Sequence, residues 1–173
     1  TTSKRDGTLS EDKGEGLKID EPQKPDRALG CYHRVFESKI DGKPVRCLEY
    51  DMREFMASCV TAYLEHTGLK VQALRCVPTP FLPAPPGGGD GLLEDDEGGG
   101  EVAQVACSVL MKVLFGARLA RWDLLRSVGL LATRVTKWTK GCDRALHRLV
   151  CYIHSTVDHT LAGYVGQEDK IDD

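Results

Sequence analysis

Cys142, His147, Cys151 and His154 form the one Cys/His group in this chain whose spacing bears on metal chemistry. His147 and Cys151 stand four apart and Cys151 and His154 three apart, so each pair shares a helix face. Structural zinc sites draw one ligand pair from a hairpin or loop and the other from a separate element, whereas these four fall on or beside one predicted helix. They are expected to be ordinary core and surface residues. The aspartate pairs Asp172-Asp173 and Asp95-Asp96 invite comparison with a two-metal polymerase site, which needs a rigid hairpin and a third carboxylate nearby. One pair ends the sequence and the other sits in a Gly-rich tract, so neither is expected to be catalytic. No serine has a base and an orienting group that the sequence identifies. No enzyme motif is complete, so no catalytic residue, metal ligand or cofactor is assigned.

The remaining chemistry is charge. Between 102 and 156 stand Lys112, Arg118, Arg121, Arg126, Arg134, Lys137, Lys140, Arg144 and Arg148 against only Asp123 and Asp143, in a chain whose net charge is -3. Such an excess suits contact with nucleic-acid phosphates, and a merely solvated face is the competing reading. The seven cysteines are odd in number, irregularly spaced and preceded by no secretory leader. Free thiols in a reducing compartment follow, hence an expectation of an intracellular, cytoplasmic or nuclear protein. No uninterrupted apolar run approaches the roughly 20 residues that cross a bilayer, so no membrane partner is expected. The first residue is Thr1, which reads as a piece of a longer product.

These residues must be positioned by elements that the patterning predicts to be α+β. Residues 1–27 carry too few large aliphatics to order themselves and are expected to be a disordered lead-in. A strand over 28–39, a tight turn at Asp41-Gly42 and a second strand over 45–50 make a hairpin. Asp51 and Glu54 then resemble a capping box, with Tyr50 and Phe55 as a hydrophobic staple. The helix behind them carries Met52, Phe55, Met56, Cys59, Val60, Tyr63 and Leu64 on one stripe and stops at Gly68. At about 1.5–3 kcal/mol per buried apolar side chain, that stripe must pack on something. An extended piece over 70–77 and the non-helical Pro78-Thr79-Pro80 complete a unit of 28–82. Residues 83–101 read as an acidic Gly/Pro linker. The unit 102–166 holds three amphipathic helices, the second capped by Asp123 and the third starting near Cys142, then a short strand at 161–165; 167–173 is a polar tail.

The order of these parts resembles the latter half of a copia-type retrotransposon reverse transcriptase. That family has a hairpin opening with Leu-Gly, an amphipathic helix with an early aromatic, and an extended Val-x-Thr-Pro element. Here Leu29-Gly30, the helix over 51–66 and Val77-Pro78-Thr79-Pro80-Phe81 stand in that order. The family's Thr-Arg-Pro-Asp-Ile-like motif is similar to Ala120-Arg121-Trp122-Asp123-Leu124, with Trp122 in place of Pro. Its Arg-Tyr-Leu-Lys-Gly-Thr-like ending is similar to Cys151-Tyr152-Ile153-His154-Ser155-Thr156. The resemblance covers about 28–166, interrupted by the acidic insert.

It implies a primer-grip-like hairpin at 29–32 and a thumb- and connection-like helical unit leading towards ribonuclease H. Contacts to an RNA/DNA primer–template are then expected from Gly30, Tyr32, Arg118, Arg121, Arg126, Arg134, Lys137, Lys140, Arg144 and Arg148. The polymerase aspartates, with their Mg2+, are expected upstream of Thr1 and the first ribonuclease H aspartate beyond Asp173. The chain alone is therefore expected to be inactive and to work with the remaining parts of a Pol polyprotein. The competing class is an inactive remnant or a helical protein-interaction module.

Overall fold

The computed structural model describes residues 26–81 and 99–166; among these, one antiparallel sheet and four α-helices make an α+β fold. The expected lead-in up to residue 25, the linker over 82–98, with Asp95-Asp96, and the tail 167–173, with Asp172-Asp173, lie outside the described residues. Strands β1 (Arg27–Ala28), β2 (Cys31–Ile40), β3 (Lys43–Asp51) and β4 (Leu161–Gly166) neighbour one another in that order.

Two-residue loops make both early hairpins, and each needs positive φ at both positions. Asp41 and Gly42 have φ of 50° and 78°, as the turn chemistry predicts. Leu29 and Gly30 have φ of 52° and 79°, so the chain reverses where the alternation alone reads a strand starting at Ala28. The lead-in also ends earlier than expected, because Arg27 already pairs with Tyr32.

Helix α1 (Arg53–Thr67) buries Met56, Cys59, Val60 and Tyr63 and ends at Gly68 in the left-handed conformation, φ 68°. Its start corrects the expected capping box. The helix begins one residue late, which puts Glu54 at the second helical position instead of the third. Glu54 turns to the Tyr32 hydroxyl (3.3 Å) and Arg27 (3.7 Å). The Asp51 carboxylate still takes the Arg53 N–H at 3.0 Å, while also pairing with the Arg53 and Arg34 guanidiniums. Tyr50 meets His33 edge-on at 5.0 Å and Phe55 meets Phe115 at 5.3 Å, and both pack against the core. After α1, the piece expected to be extended contains a 3-10 turn at Val71–Ala73.

Helix α2 (Ala103–Ala120) leads through a 3-10 turn (Trp122–Leu124) into α3 (Leu125–Ala132), and a second such turn (Val135–Lys137) leads to α4 (Lys140–Ser155). α4 starts before Cys142 because the Thr139 hydroxyl accepts the Cys142 N–H at 3.3 Å, a side-chain cap. Helix α2 spans 18 residues at a mean hydropathy of 1.4, long and apolar enough to cross a membrane by length and composition alone. Lys112 and Arg118 interrupt its apolar run, which is why the sequence reading passed over it. Here it is a core helix, with Ala106, Val109, Leu110, Val113, Gly116, Ala117 and Ala120 buried. A Cβ on Gly116 would stand 2.5 Å from the Met56 sulfur and 3.1 Å from the Phe55 ring, so the bare glycine allows α1 and α2 to meet this closely.

The two units expected on either side of the linker share one core. Buried residues from Cys31 and Met56 to Leu146, Leu149 and Ile153 form a continuous cluster. Strand β4, expected as a short strand over 161–165, joins the sheet: Tyr50 lies opposite Leu161 and Val45 opposite Gly166. Each half exposes an apolar stripe that the other covers, so neither is complete by itself.

Candidate nucleic-acid interface

The Leu29-Gly30 turn sits beside the outer side of α2. Leu29, Met111, Leu114, Phe115, Arg118 and Leu119 line a groove of about 440 Å³ between them. Leu29 is 73% exposed and Met111 and Phe115 are 44% and 40% exposed, so the apolar walls face water. A Leu at positive φ carries a steric strain of roughly 1–2 kcal/mol that Asn or Gly escapes. Leu29→Asn is therefore expected to raise the urea midpoint, by an amount equivalent to about 1 kcal/mol. Under the turn, Phe55 lies 4.0 Å from where a Gly30 Cβ would stand, and Arg27 stacks over the Tyr32 ring at 4.6 Å. Arg118, exposed, is the cation at the rim. Apolar walls with one exposed cation at the rim can stack on a flat ring and pair with an anion.

The ten residues expected to touch primer–template do not act alike. Arg118 lines the groove, Gly30 is the second residue of the turn that carries Leu29 to it, and Tyr32 lies on β2 under the Arg27 guanidinium. Arg121 is a correction: it is 2% exposed and fully engaged. Its guanidinium donates to both Asp123 oxygens (3.0 and 2.8 Å) and to the Thr156 carbonyl (2.9 Å) and hydroxyl (2.8 Å). Asp123 therefore does not cap α3, as the sequence predicts; it turns back onto Arg121. Burial opposes the Asp123 carboxylate, and the Arg121 hydrogen bonds and charge, together with hydrogen bonds from Tyr152 and the backbone, more than offset this, holding its pKa below the ordinary 3.8. Burial and the Asp123 charge push the Tyr152 phenol upward.

Arg148 is the second correction, since it is spent on the Thr79–Phe81 segment, while Arg126 touches that segment but stays exposed. Arg148 donates to the carbonyls of Thr79 (3.2 Å) and Phe81 (3.1 Å) and to the Thr79 hydroxyl (3.1 Å), and Arg126 lies 5.2 Å over the Phe81 ring. A proline-rich segment outside regular structure leaves its carbonyls without backbone donors, and Arg148 supplies them. Arg134, half-buried, and Lys137 and Lys140, both exposed, surround the α3–α4 connection, and Arg144 is exposed on the first turns of α4.

Along α4 the Cys/His group separates. Cys142 and His154 lie about 18 Å apart along the axis at the helical rise, too far for one ion. Cys142 is buried against the Thr139 hydroxyl and His154 is exposed. Only the middle pair meets, the His147 Nε2 and Cys151 Sγ at 3.5 Å, while His147 Nδ1 meets the Tyr63 hydroxyl at 3.1 Å. Burial pushes the Tyr63 phenol up to about 12. Among the described residues no three His, Cys, Asp or Glu side chains gather closely enough to hold a metal.

Asp143 is the residue that sequence reasoning missed. Its carboxylate accepts from the Glu101 N–H (2.7 Å), the Val102 N–H (3.4 Å) and the Trp138 indole (2.6 Å). It thus stands at the N-terminus of α2 and in the first turn of its own helix. Gly99 and Gly100, expected to be linker, are held here too: Gly100 donates to the Trp138 carbonyl at 3.1 Å, and Gly99 bridges Thr139. No local signal marks this joint, whose partners lie about forty residues apart in sequence.

Comparison with protein-family models, with curated proteins and with solved structures finds no match to this chain.

Proposed function

We propose that the chain is the non-catalytic, primer–template-holding part of an RNA-directed DNA polymerase of the copia retrotransposon type. The observation that carries this reading is the groove in which Leu29 meets Met111, Phe115 and Arg118. It joins two stretches that the family order separates by a helix and an extended element. A glycine turn against an apolar helix edge, with one cation at the rim, suits a sugar–phosphate backbone held without regard to sequence. In this reading polymerisation and its Mg2+ belong to other parts of the parent polyprotein.

The test is binding to an RNA–DNA hybrid as salt is varied. If Arg118, Arg134, Lys137 and Lys140 each neutralise one phosphate, the log–log slope is about −3 to −4. Arg118→Ala is expected to weaken binding equally across sequences and reduce the slope by about 1. Leu29→Asn, which relieves backbone strain, is expected to weaken binding while it stabilises the fold. Absence of binding at low salt returns the chain to the competing class, an inactive remnant or a protein-interaction module.

A further inference from the structure

We propose that the outer edge of β2 is a self-association surface, joining two copies of the chain antiparallel with Ser38 facing the partner's Ser38. The two hairpins decide which backbone groups are free. Ala28 lies opposite Cys31 across a two-residue loop, and the His33 N–H donates to the Asp26 carbonyl at 2.9 Å. Odd-numbered residues of β2 therefore direct their N–H and C=O groups towards the β1 side. Ile40 closes the other two-residue loop opposite Lys43, so Ile40, Ser38, Phe36 and Arg34 spend theirs on β3. Among the described residues no strand pairs with β2 beyond His33 on the β1 side, which leaves the backbone of Val35, Glu37 and Lys39 open.

Among the described residues this edge has no proline, no bulge and no covering segment, and charge on Arg34, Glu37 and Lys39 is its one protection. Strand β2 runs ten residues without proline, and Val35, Phe36 and Ile40 on it are 61%, 46% and 43% exposed. A long apolar edge of this kind is a template for another strand. An antiparallel partner must match odd residues with odd. Glu37 opposite itself, or Lys39 opposite itself, sets like charges face to face. Val35 opposite Glu37 brings Lys39 against His33, whose N–H is already bonded to Asp26. The remaining register puts Glu37 against the partner's Lys39 and Lys39 against the partner's Glu37, both as hydrogen-bonded pairs. On the other face it sets Phe36 against the partner's Ile40 and Ile40 against the partner's Phe36. One register thus satisfies charge and apolar complementarity together, and it is symmetric, as a two-fold interface requires.

The test is sedimentation of the full chain from micromolar to sub-millimolar concentration. The average mass is expected to rise from the monomer's 19.0 kDa towards twice that value. Glu37→Lys and Lys39→Glu, each checked for fold by circular dichroism, are expected to weaken dimerisation about tenfold by opposing like charges. Mixed in equal amounts, E37K and K39E restore every charge pair, and a heterodimer is expected. Glu37 also lies opposite Arg46 within the sheet, so K39E, whose neighbour there is Pro44, carries the test if E37K folds poorly. A chain that stays monomeric throughout, a dimer indifferent to K39E, or mixed variants that associate no better than each alone would overturn the proposal.

Discussion

Arg121→Ala is expected to cost about 3–5 kcal/mol of folding stability, because a guanidinium only 2% exposed donates two hydrogen bonds to Thr156 worth about 1.5–3 kcal/mol each, besides those to Asp123. That is a large fraction of the roughly 5–15 kcal/mol by which a domain is stable. The truncation leaves the Asp123 carboxylate, 36% exposed, to water and leaves the Thr156 carbonyl and hydroxyl without the donor that now reaches them across 35 residues. It also removes the cation lying 5.8 Å over the Tyr152 ring. Urea unfolding followed by circular dichroism reads the loss, and a change under about 1 kcal/mol would show that water replaces these contacts at little cost. The same pair sets an acid limit. The folded pKa of Asp123 lies below its ordinary 3.8, so its stabilisation is complete above the unfolded value and is lost as pH falls through the folded one. Wild-type stability should therefore fall below about pH 4 with a component that Arg121→Ala, having already lost the pairing, does not show.

How legible such features were depends on how local their causes are. The Asp41-Gly42 turn, the α1 stripe and the Gly68 stop each depend on residues within one turn of each other, and each stands where the pattern puts it. The Leu29-Gly30 turn was hidden because leucine rarely takes positive φ, so alternation alone read through it. Helix α1 starts one residue late because Asp51 is also the last residue of β3, held opposite Tyr32. Strand β4 was visible as a strand, but its partner lies 111 residues away in sequence, as the bond from the Thr160 hydroxyl to Glu49 illustrates. Of the expected site, Arg118 was legible as an exposed helix cation. Arg121 was misread because a charge count cannot tell an arginine facing water from one enclosed by the C-terminus of another helix. Arg148 was misread for the same reason, its partners being the carbonyls and hydroxyl of a segment on the far side of the linker.

Asp143→Ala is expected to destabilise the fold by about 3 kcal/mol, the second largest effect. Hydrogen bonds to a charged group contribute about 1.5–3 kcal/mol each, and a lost helix cap costs about 0.5–2. Three donors from two separate places converge on this carboxylate, so its loss opens the joint between α2 and α4 as well as the α2 cap. Asp143→Asn keeps one acceptor oxygen but puts an NH2 where the other now faces a donor, so about half the cost is expected. Hydrogen exchange locates the effect: the Glu101 and Val102 amides should exchange faster in Asp143→Ala, while amides of the β2–β3 pair change only as much as global stability does. Gly100 offers an independent probe, since an added Cβ would stand 2.6 Å from Asp143 Oδ1, 2.7 Å from the Thr139 carbonyl and 2.5 Å from the Trp138 ring. Gly100→Ala should thus reproduce the local exchange pattern with the carboxylate intact. If it speeds neither amide, the joint yields more easily than this geometry implies and the cost of Asp143→Ala falls to that of a simple cap, about 1 kcal/mol.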